Sequence, residues 1–225
     1  MSKQLKSRFP GGASGNQSGH ETKRSAFVIL YTKELSLWEN HTEKPMAVRE
    51  DKSPAFLMVR RSDYMMGFPG GGLKPNESSL QGALQELKEE LGITFIPQDH
   101  LENLSSQKFD NSRGVKCETQ CFIAELSPNE FKDVLRNAHK AEHFMAETRG
   151  LITVSLEHTV TDKPFPFENF LSSPMPPSVR QDLTEFLMNT ELLDLKILDD
   201  LINKKLLLAP PGKARPTWPE HKFSP

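Results

Sequence analysis

A run of glycine and glutamate near the middle of the chain constrains its fold more than any other segment. Gly71-Gly72-Leu73-Lys74-Pro75-Asn76-Glu77 is followed closely by Gln85-Glu86-Leu87-Lys88-Glu89-Glu90-Leu91-Gly92-Ile93. Residues three and four apart are neighbours on a helix, so Glu86, Glu89 and Glu90 share a face of a short helix behind a glycine-rich turn. Three crowded carboxylates repel one another unless a cation lies among them. Ligands made only of oxygen suit Mg2+ or Mn2+ rather than Zn2+, and a hard ion held this way commonly also touches a substrate phosphate. The segment therefore points to metal-dependent chemistry on a phosphate compound, against the ordinary alternative of a merely solvated acidic face.

The surroundings favour the first reading. Leu80, Leu84, Leu87 and Leu91 recur at spacings of four, three and four, which makes an apolar stripe. The helix is expected to bury that stripe and to hold Glu86, Glu89 and Glu90 well away from it. Asn76 is the expected N-cap, Glu77 suits the positive end of the helix dipole, and Gly92 is the expected stop.

The pattern Gly, five residues, Glu, seven residues, Arg-Glu, apolar, any, Glu-Glu, any, Gly, apolar is the Nudix box. Here it reads Gly71, Glu77, Gln85, Glu86, Leu87, Glu89, Glu90, Gly92 and Ile93, so the chain resembles the Nudix hydrolases at every fixed position but one. The resemblance implies an α+β fold, an α/β/α sandwich with a mixed sheet between helices and the box as a loop-helix-loop. It implies hydrolysis of a nucleoside diphosphate linked to another group. It also implies that Glu86, Glu89 and Glu90 bind the metals, and that Glu89 or Glu90 helps activate or orient water. The departure is Gln85, where the family has an Arg that holds a site glutamate in place. Gln still donates a hydrogen bond but carries no charge, so it is a weaker anchor.

A wider resemblance reaches beyond the box. Phe56-Leu57-Met58-Val59-Arg60-Arg61, Met66-Gly67-Phe68-Pro69-Gly70-Gly71, Ala141-Glu142-His143 with Glu147, and Phe167-Glu168-Asn169 are similar to the snoRNA-decapping and inosine-diphosphatase branch of the superfamily. By that resemblance Glu147 is a further metal-binding carboxylate. Arg61, Phe68, Gly70, Gly71, Phe27 and Gln181 surround the substrate, with Phe27 standing where a base-contacting His is expected. Capped RNA, purine nucleotides or both would be substrates, Mg2+ or Mn2+ the cofactor, and the nucleus, nucleolus or cytoplasm the location. The resemblance admits a homodimer. Two alternatives stay open: a Nudix hydrolase for ADP-ribose or a dinucleotide, and a Nudix module that binds RNA or protein without catalysis.

The rest of the sequence fits a single-domain enzyme. A chain of 225 residues can build one core. A net charge of -2 gives no global field toward nucleic acid or membrane, so bound RNA would need a local basic patch. No apolar stretch approaches the ~20 residues of a membrane span, and the N-terminus lacks the apolar core of a signal peptide. Cys117 and Cys121 lie four apart in an expected strand, about 13 Å along it, too far for a disulfide. They are expected to be reduced thiols.

Residues 1–24 read as a disordered basic tail, 25–208 as the Nudix domain and 209–225 as a Pro-rich disordered tail. Strands are expected at Ala26–Tyr31, Ala55–Val59, Cys117–Leu126 and Gly150–Leu156, with a strand end and turn at Gln107–Arg113. Ser127, Pro128 and Glu130 predict a capped helix start. Met145–Arg149 is expected to be a loop near the site, and Ser178–Met188 and Leu192–Leu208 the final helices. Arg60 and Arg61 alternate faces, so only Arg61 is expected to reach the pocket, as a grip on phosphate. His143 is expected at the surface, and Phe27 and Phe68 are candidates to stack on a base.

Overall fold

The long first strand organises the molecule. In the computed structural model, which describes residues 22–35, 53–111, 113–156 and 166–209, β1 runs over Lys23–Leu35. Its centre, Ala26 through Leu30, is an apolar run buried except at Phe27, as expected of a strand covered on both faces. One edge of β1 pairs in parallel with β6 (Lys116–Glu125) along Lys23–Tyr31. The other edge is shared. β2 (Ser53–Arg61) takes its far end, with Tyr31 opposite Phe56, and β4 (Gly70–Gly72) takes Ser25–Phe27. The hairpin strand β3 (Met66–Gly67) pairs with the end of β2, which is also paired with β7 (Thr148–Ser155). β5 (Glu102–Asp110) closes the sheet antiparallel to β6. One parallel pair among antiparallel ones makes the sheet mixed.

Helices cover both faces. Ala26, Val28, Leu30, Ala55, Leu57, Phe122 and Ala124 pack against α1 (Ser79–Leu91) and α2 (Pro128–Asn137). Ile29, Tyr31, Phe56, Met58, Cys121 and Ile123 face the other way, against α4 (Pro166–Leu171), α5 (Pro177–Thr190) and α6 (Leu195–Asn203). Alternate residues of each strand enter different cores, as a period of two requires. The expected α/β/α sandwich with a mixed sheet is therefore the observed fold. The one-turn helix α3 (Phe144–Glu147) sits at the end of α1. No helix among the described residues is long and apolar enough to cross a membrane.

Local expectations met different outcomes. Ser127 caps α2 through a capping box with Glu130, and Pro128 opens the helix, as the sequence predicts. Cys117 and Cys121 are free thiols, Cys121 buried. The cap of α1 is Ser78, not Asn76: Ser78 and Gln81 form the capping box, while Asn76 takes φ 64° in the preceding turn, a conformation asparagine tolerates. β1 starts at Lys23, inside the segment expected as tail, because Lys23 and Arg24 continue the ladder to Cys117 and Glu118. The expected loop over Met145–Arg149 holds α3, and β7 starts earlier, at Thr148. The last helices are Pro177–Thr190 and Leu195–Asn203, displaced from the expected bounds. Residues 1–21 and 210–225, which hold nearly all of both expected tails, lie outside the described residues.

Candidate active site

Gly70 and Gly71 bring the backbone of β4 against the side chains of α1. Gly70 has φ 139°, and a Cβ there would strike the Ala26 carbonyl oxygen and sit 2.7 Å from Phe27 Cα. A Cβ on Gly71 would collide with the carboxylate of Glu86. Glycine is thus required at 70 by the neighbouring strand, while at 71 any side chain would push the Glu86 carboxylate aside.

The three carboxylates are held differently. Glu86 rests against Gly71. Glu89 Oε1 accepts a 2.6 Å bond from Gln85 Nε2, and its Oε2 lies 3.4 Å from His143 Nδ1. The His143 backbone N–H also donates to the Glu89 carbonyl at 2.9 Å, which fastens α3 to α1. Glu90 is only 5% exposed. Its Oε2 accepts from the Gly70 N–H at 2.9 Å and its Oε1 from the Thr148 hydroxyl at 3.4 Å. The expectation that all three glutamates stand clear of the buried stripe is corrected here. On a 3.6-residue period Glu90 neighbours Leu87, and α1 buries Ala83, Leu87, Glu90 and Leu91 while Leu80 and Leu84 are half-buried. Glu90 points inward and bridges α1, β4 and the first residue of β7.

A cavity of about 850 Å³ opens beside this cluster. Its floor is the sheet face toward α5. Gly72, Ser25, Thr119 and Gln107 form one row across β4, β1, β6 and β5, and Gly70, Phe27, Cys121 and Ser105 form the next. Phe27, Phe68 and Arg61 line both this cavity and the adjoining one that contains Gly70, Gly71 and Glu90. Lys23, Arg24 and Lys74 add cations to the wall. Phe68 is almost wholly buried and presents little surface, whereas Phe27 is half-buried. Arg60 stacks on the Tyr64 ring instead, 5.1 Å from its centroid, so the alternation of the two arginines is as expected. Arg61 pairs with Asp63 at 3.2 Å at the cavity edge.

Gln181 does not line this cavity, and Glu147 is placed by its backbone alone. Gln181 bonds to Glu185 one turn on, at 3.4 Å, and α5 reaches the cavity through Ser178, Val179 and Asp182. Gln181 is one residue, and so about 100° around a helix, from Asp182. Glu147 ends α3 immediately before Thr148, beside the Glu90 bridge, but its side chain lies outside the described part.

Asp182 carries no expectation from sequence. It is 3% exposed, and its Oδ1 accepts from Ser105 Oγ and Gln107 Nε2, both at 2.5 Å. Burial pushes its carboxyl up to about 6, against the opposing effect of the Ser105 and Gln107 bonds. Burial raises the Cys121 thiol, and the nearby Asp182 charge raises it further.

Among the described residues no three acids, imidazoles or thiols converge as a ready-made metal site. The donor chemistry nevertheless fits a hard divalent cation: Glu86, Glu89 and Glu90 offer carboxylate oxygens alone, and Glu86 and Glu90 lie against the glycine backbone of β4.

The sequence profile of the Nudt16-like family, described as U8 snoRNA-decapping enzyme-like, matches residues 24–193. The chain belongs to this family. It is 33% identical to the U8 snoRNA-decapping enzyme of Xenopus laevis over 108 residues, 48% of this chain and 50% of the frog protein. It is 29% identical to the mouse (Mus musculus) enzyme of that name over 150 residues, 65% of this chain and 75% of the mouse protein. The chain thus spans about half the length of the frog relative it matches. A mutT/nudix family protein from Listeria innocua aligns with TM-score 0.45 at 22% identity, covering 75% of this chain and 94% of that one. The Nudt16-like profile covers the box, the cavity-lining strands from Arg24 on and the whole of α5.

Proposed function

We propose that this Nudt16-like protein is a divalent-metal-dependent pyrophosphohydrolase that removes 5′ caps from RNA and cleaves purine nucleoside di- and triphosphates, inosine diphosphate among them, to monophosphates. The observation that carries the reading is the contact of Glu86 with Gly71 and of Glu90 with Gly70, with Glu89 on the same helix, in a pocket that adjoins a nucleotide-sized cavity.

Glu86, Glu89 and Glu90, with Glu147, would hold Mg2+ or Mn2+. The bound metal would neutralise phosphate oxygens and lower the pKa of a coordinated water. The chain's own residues do the rest. Glu90, locked by Gly70 and Thr148, keeps a fixed acceptor beside the phosphate. Glu89, steered by Gln85 and His143, orients the attacking water. Gly70 and Gly71 let β4 close onto Phe27 and Glu86, Arg61 grips the phosphate chain, and Lys23, Arg24 and Lys74 attract it. Phe27 flanks the base, and the buried Phe68 contributes to the wall. Most of the proteins' contribution is position and electrostatics.

Gln85 is the best argument for a module that has lost catalysis. Its bond to Glu89 supports the enzyme instead, since the anchoring contact persists in neutral form. The relatives' names, which specify a snoRNA substrate, support action in the nucleus. The test is product analysis of purified protein with Mn2+ or Mg2+ on IDP, GDP, ADP-ribose and a short capped RNA. Release of IMP and of 5′-monophosphate RNA supports the reading. Cleavage of ADP-ribose alone, or RNA binding without turnover, overturns it.

A further inference from the structure

The turn between β2 and β3 carries an aromatic ring that the fold has no use for. Tyr64 takes φ 65°, a left-handed conformation that a bulky side chain rarely adopts and that glycine takes at less cost. Burial does not offset the strain, since Tyr64 is 64% exposed. The turn closes without the ring. The Tyr64 N–H donates to the Arg61 carbonyl at 3.0 Å, the Arg61 N–H to the Met65 carbonyl at 3.0 Å, and the Met65 N–H to Asp63 Oδ1 at 3.0 Å. Strain of this kind is kept where the side chain has a task.

Two exposed cations accompany the ring. Arg60 lies over it, 5.1 Å from the centroid, and most of the ring remains open to solvent. The other cation comes from β7. Arg60 pairs with Gly150 and Arg61 with Thr148, so β7 has one residue more than β2 at this point, and that residue is Arg149. Such a bulge re-aims a side chain, and Arg149 is exposed. Neither Arg60 nor Arg149 forms an ion pair with a described residue, whereas Asp63, the acid of the turn, is taken up by Arg61.

The turn stands at the mouth of the site. Arg61 and Ser62 line the pocket that contains Glu90 and the glycines of β4, and Tyr64 follows two residues later. Thr148, which bonds Glu90, immediately precedes Arg149. A chain of phosphates that leaves the carboxylates on this side meets Arg60, Tyr64 and Arg149 next.

We propose that Arg60, Tyr64 and Arg149 form a platform for the body of a single-stranded RNA whose 5′ end lies at the box. Tyr64 stacks on a base, and the two arginines meet backbone phosphates. The inference rests on the hydrolase reading for the placement of the 5′ end. An aromatic face among cations holds single strands with little regard to sequence, and a mononucleotide is too short to use it.

The experiment is metal-free binding of a capped dinucleotide and of a capped RNA of about ten nucleotides to the full chain over a series of salt concentrations, with hydrolysis of both measured in parallel with Mn2+. The wild type is expected to bind the longer RNA about tenfold more tightly than the dinucleotide. Tyr64→Gly relieves the backbone strain, so it is expected to fold, to bind the dinucleotide as the wild type does, and to bring the ratio within about threefold. Arg60→Gln combined with Arg149→Gln is expected to flatten the salt dependence for the longer RNA, by about 0.7 in log affinity against log salt for each charge removed. Equal wild-type affinity for the two RNAs overturns the platform without recourse to any variant. A Tyr64→Gly protein that keeps the full length preference overturns it too, as does an unchanged salt slope in the double variant. A length preference that Tyr64→Gly removes, with no turnover in any protein, overturns the proposed hydrolase and supports the platform. Turnover without a length preference supports the hydrolase and removes the platform.

Discussion

Gln85 Nε2 donates to Glu89 Oε1 across 2.6 Å, one turn along α1, in the place where the Nudix box has arginine. The bond keeps Glu89 aimed while leaving it without a permanent cationic neighbour. Gln85→Leu should release Glu89 and lower kcat about tenfold, the effect of losing a bond worth about 1 to 1.5 kcal/mol. Gln85→Arg should raise kcat severalfold through a charge-assisted bond. Steady-state rates on one substrate decide both, and equal rates in all three proteins would remove Gln85 from the account.

Adjacent glycines should fail for different reasons. Gly70→Ala meets the backbone of Ala26 and Phe27 and adopts a φ that L residues rarely take, so it should destabilise the fold by about 2 kcal/mol or more. Gly71→Ala meets only the end of the flexible Glu86 side chain. It should leave stability nearly unchanged while displacing Glu86 and cutting activity. Urea unfolding together with kcat separates the two, and matching losses of stability would contradict this contrast.

Asp182 gives stability a definite dependence on pH. Its folded carboxyl is raised to about 6 from the ordinary 3.8, so the folded state holds this proton more tightly than the unfolded chain. The associated stability is fully present below about pH 4 and is lost as pH rises through about 6. The loss is about 3 kcal/mol at most. Asp182→Asn should lack this component, so the variant should gain stability relative to wild type as pH rises from 4.5 to 7.5. A difference between the two urea curves that stays constant across that range would show that Asp182 is not perturbed by burial.

Much of the fold was legible because its signals are local. The apolar run at Ala26–Leu30, the box helix ending at Gly92 and the capping box at Ser127 each follow from residues within a few positions of one another. Asn76 misled because both it and Ser78 are good caps, and the reciprocal bond with Gln81 decides between them. Glu90 misled because glutamate is rarely buried, and its partners Gly70 and Thr148 lie 20 and 58 positions away. Asp182 was invisible for the same reason: Ser105 and Gln107 stand more than 70 positions before it. Residues of the site that lie on α1 could be read from spacing, and those brought by the sheet and α5 could not.

The most direct test of the account is the Glu90 carboxylate. Glu90→Gln keeps an oxygen for the Gly70 N–H and changes the side chain's volume little, so the fold should persist. With Mn2+ and a short capped RNA, the wild type is predicted to release 5′-monophosphate RNA, and the folded Gln variant should do so at least a hundredfold more slowly while still binding the RNA. Equal rates in the two proteins, or release that persists after chelation of the metal, would contradict the claim that this chain is a metal-dependent pyrophosphohydrolase.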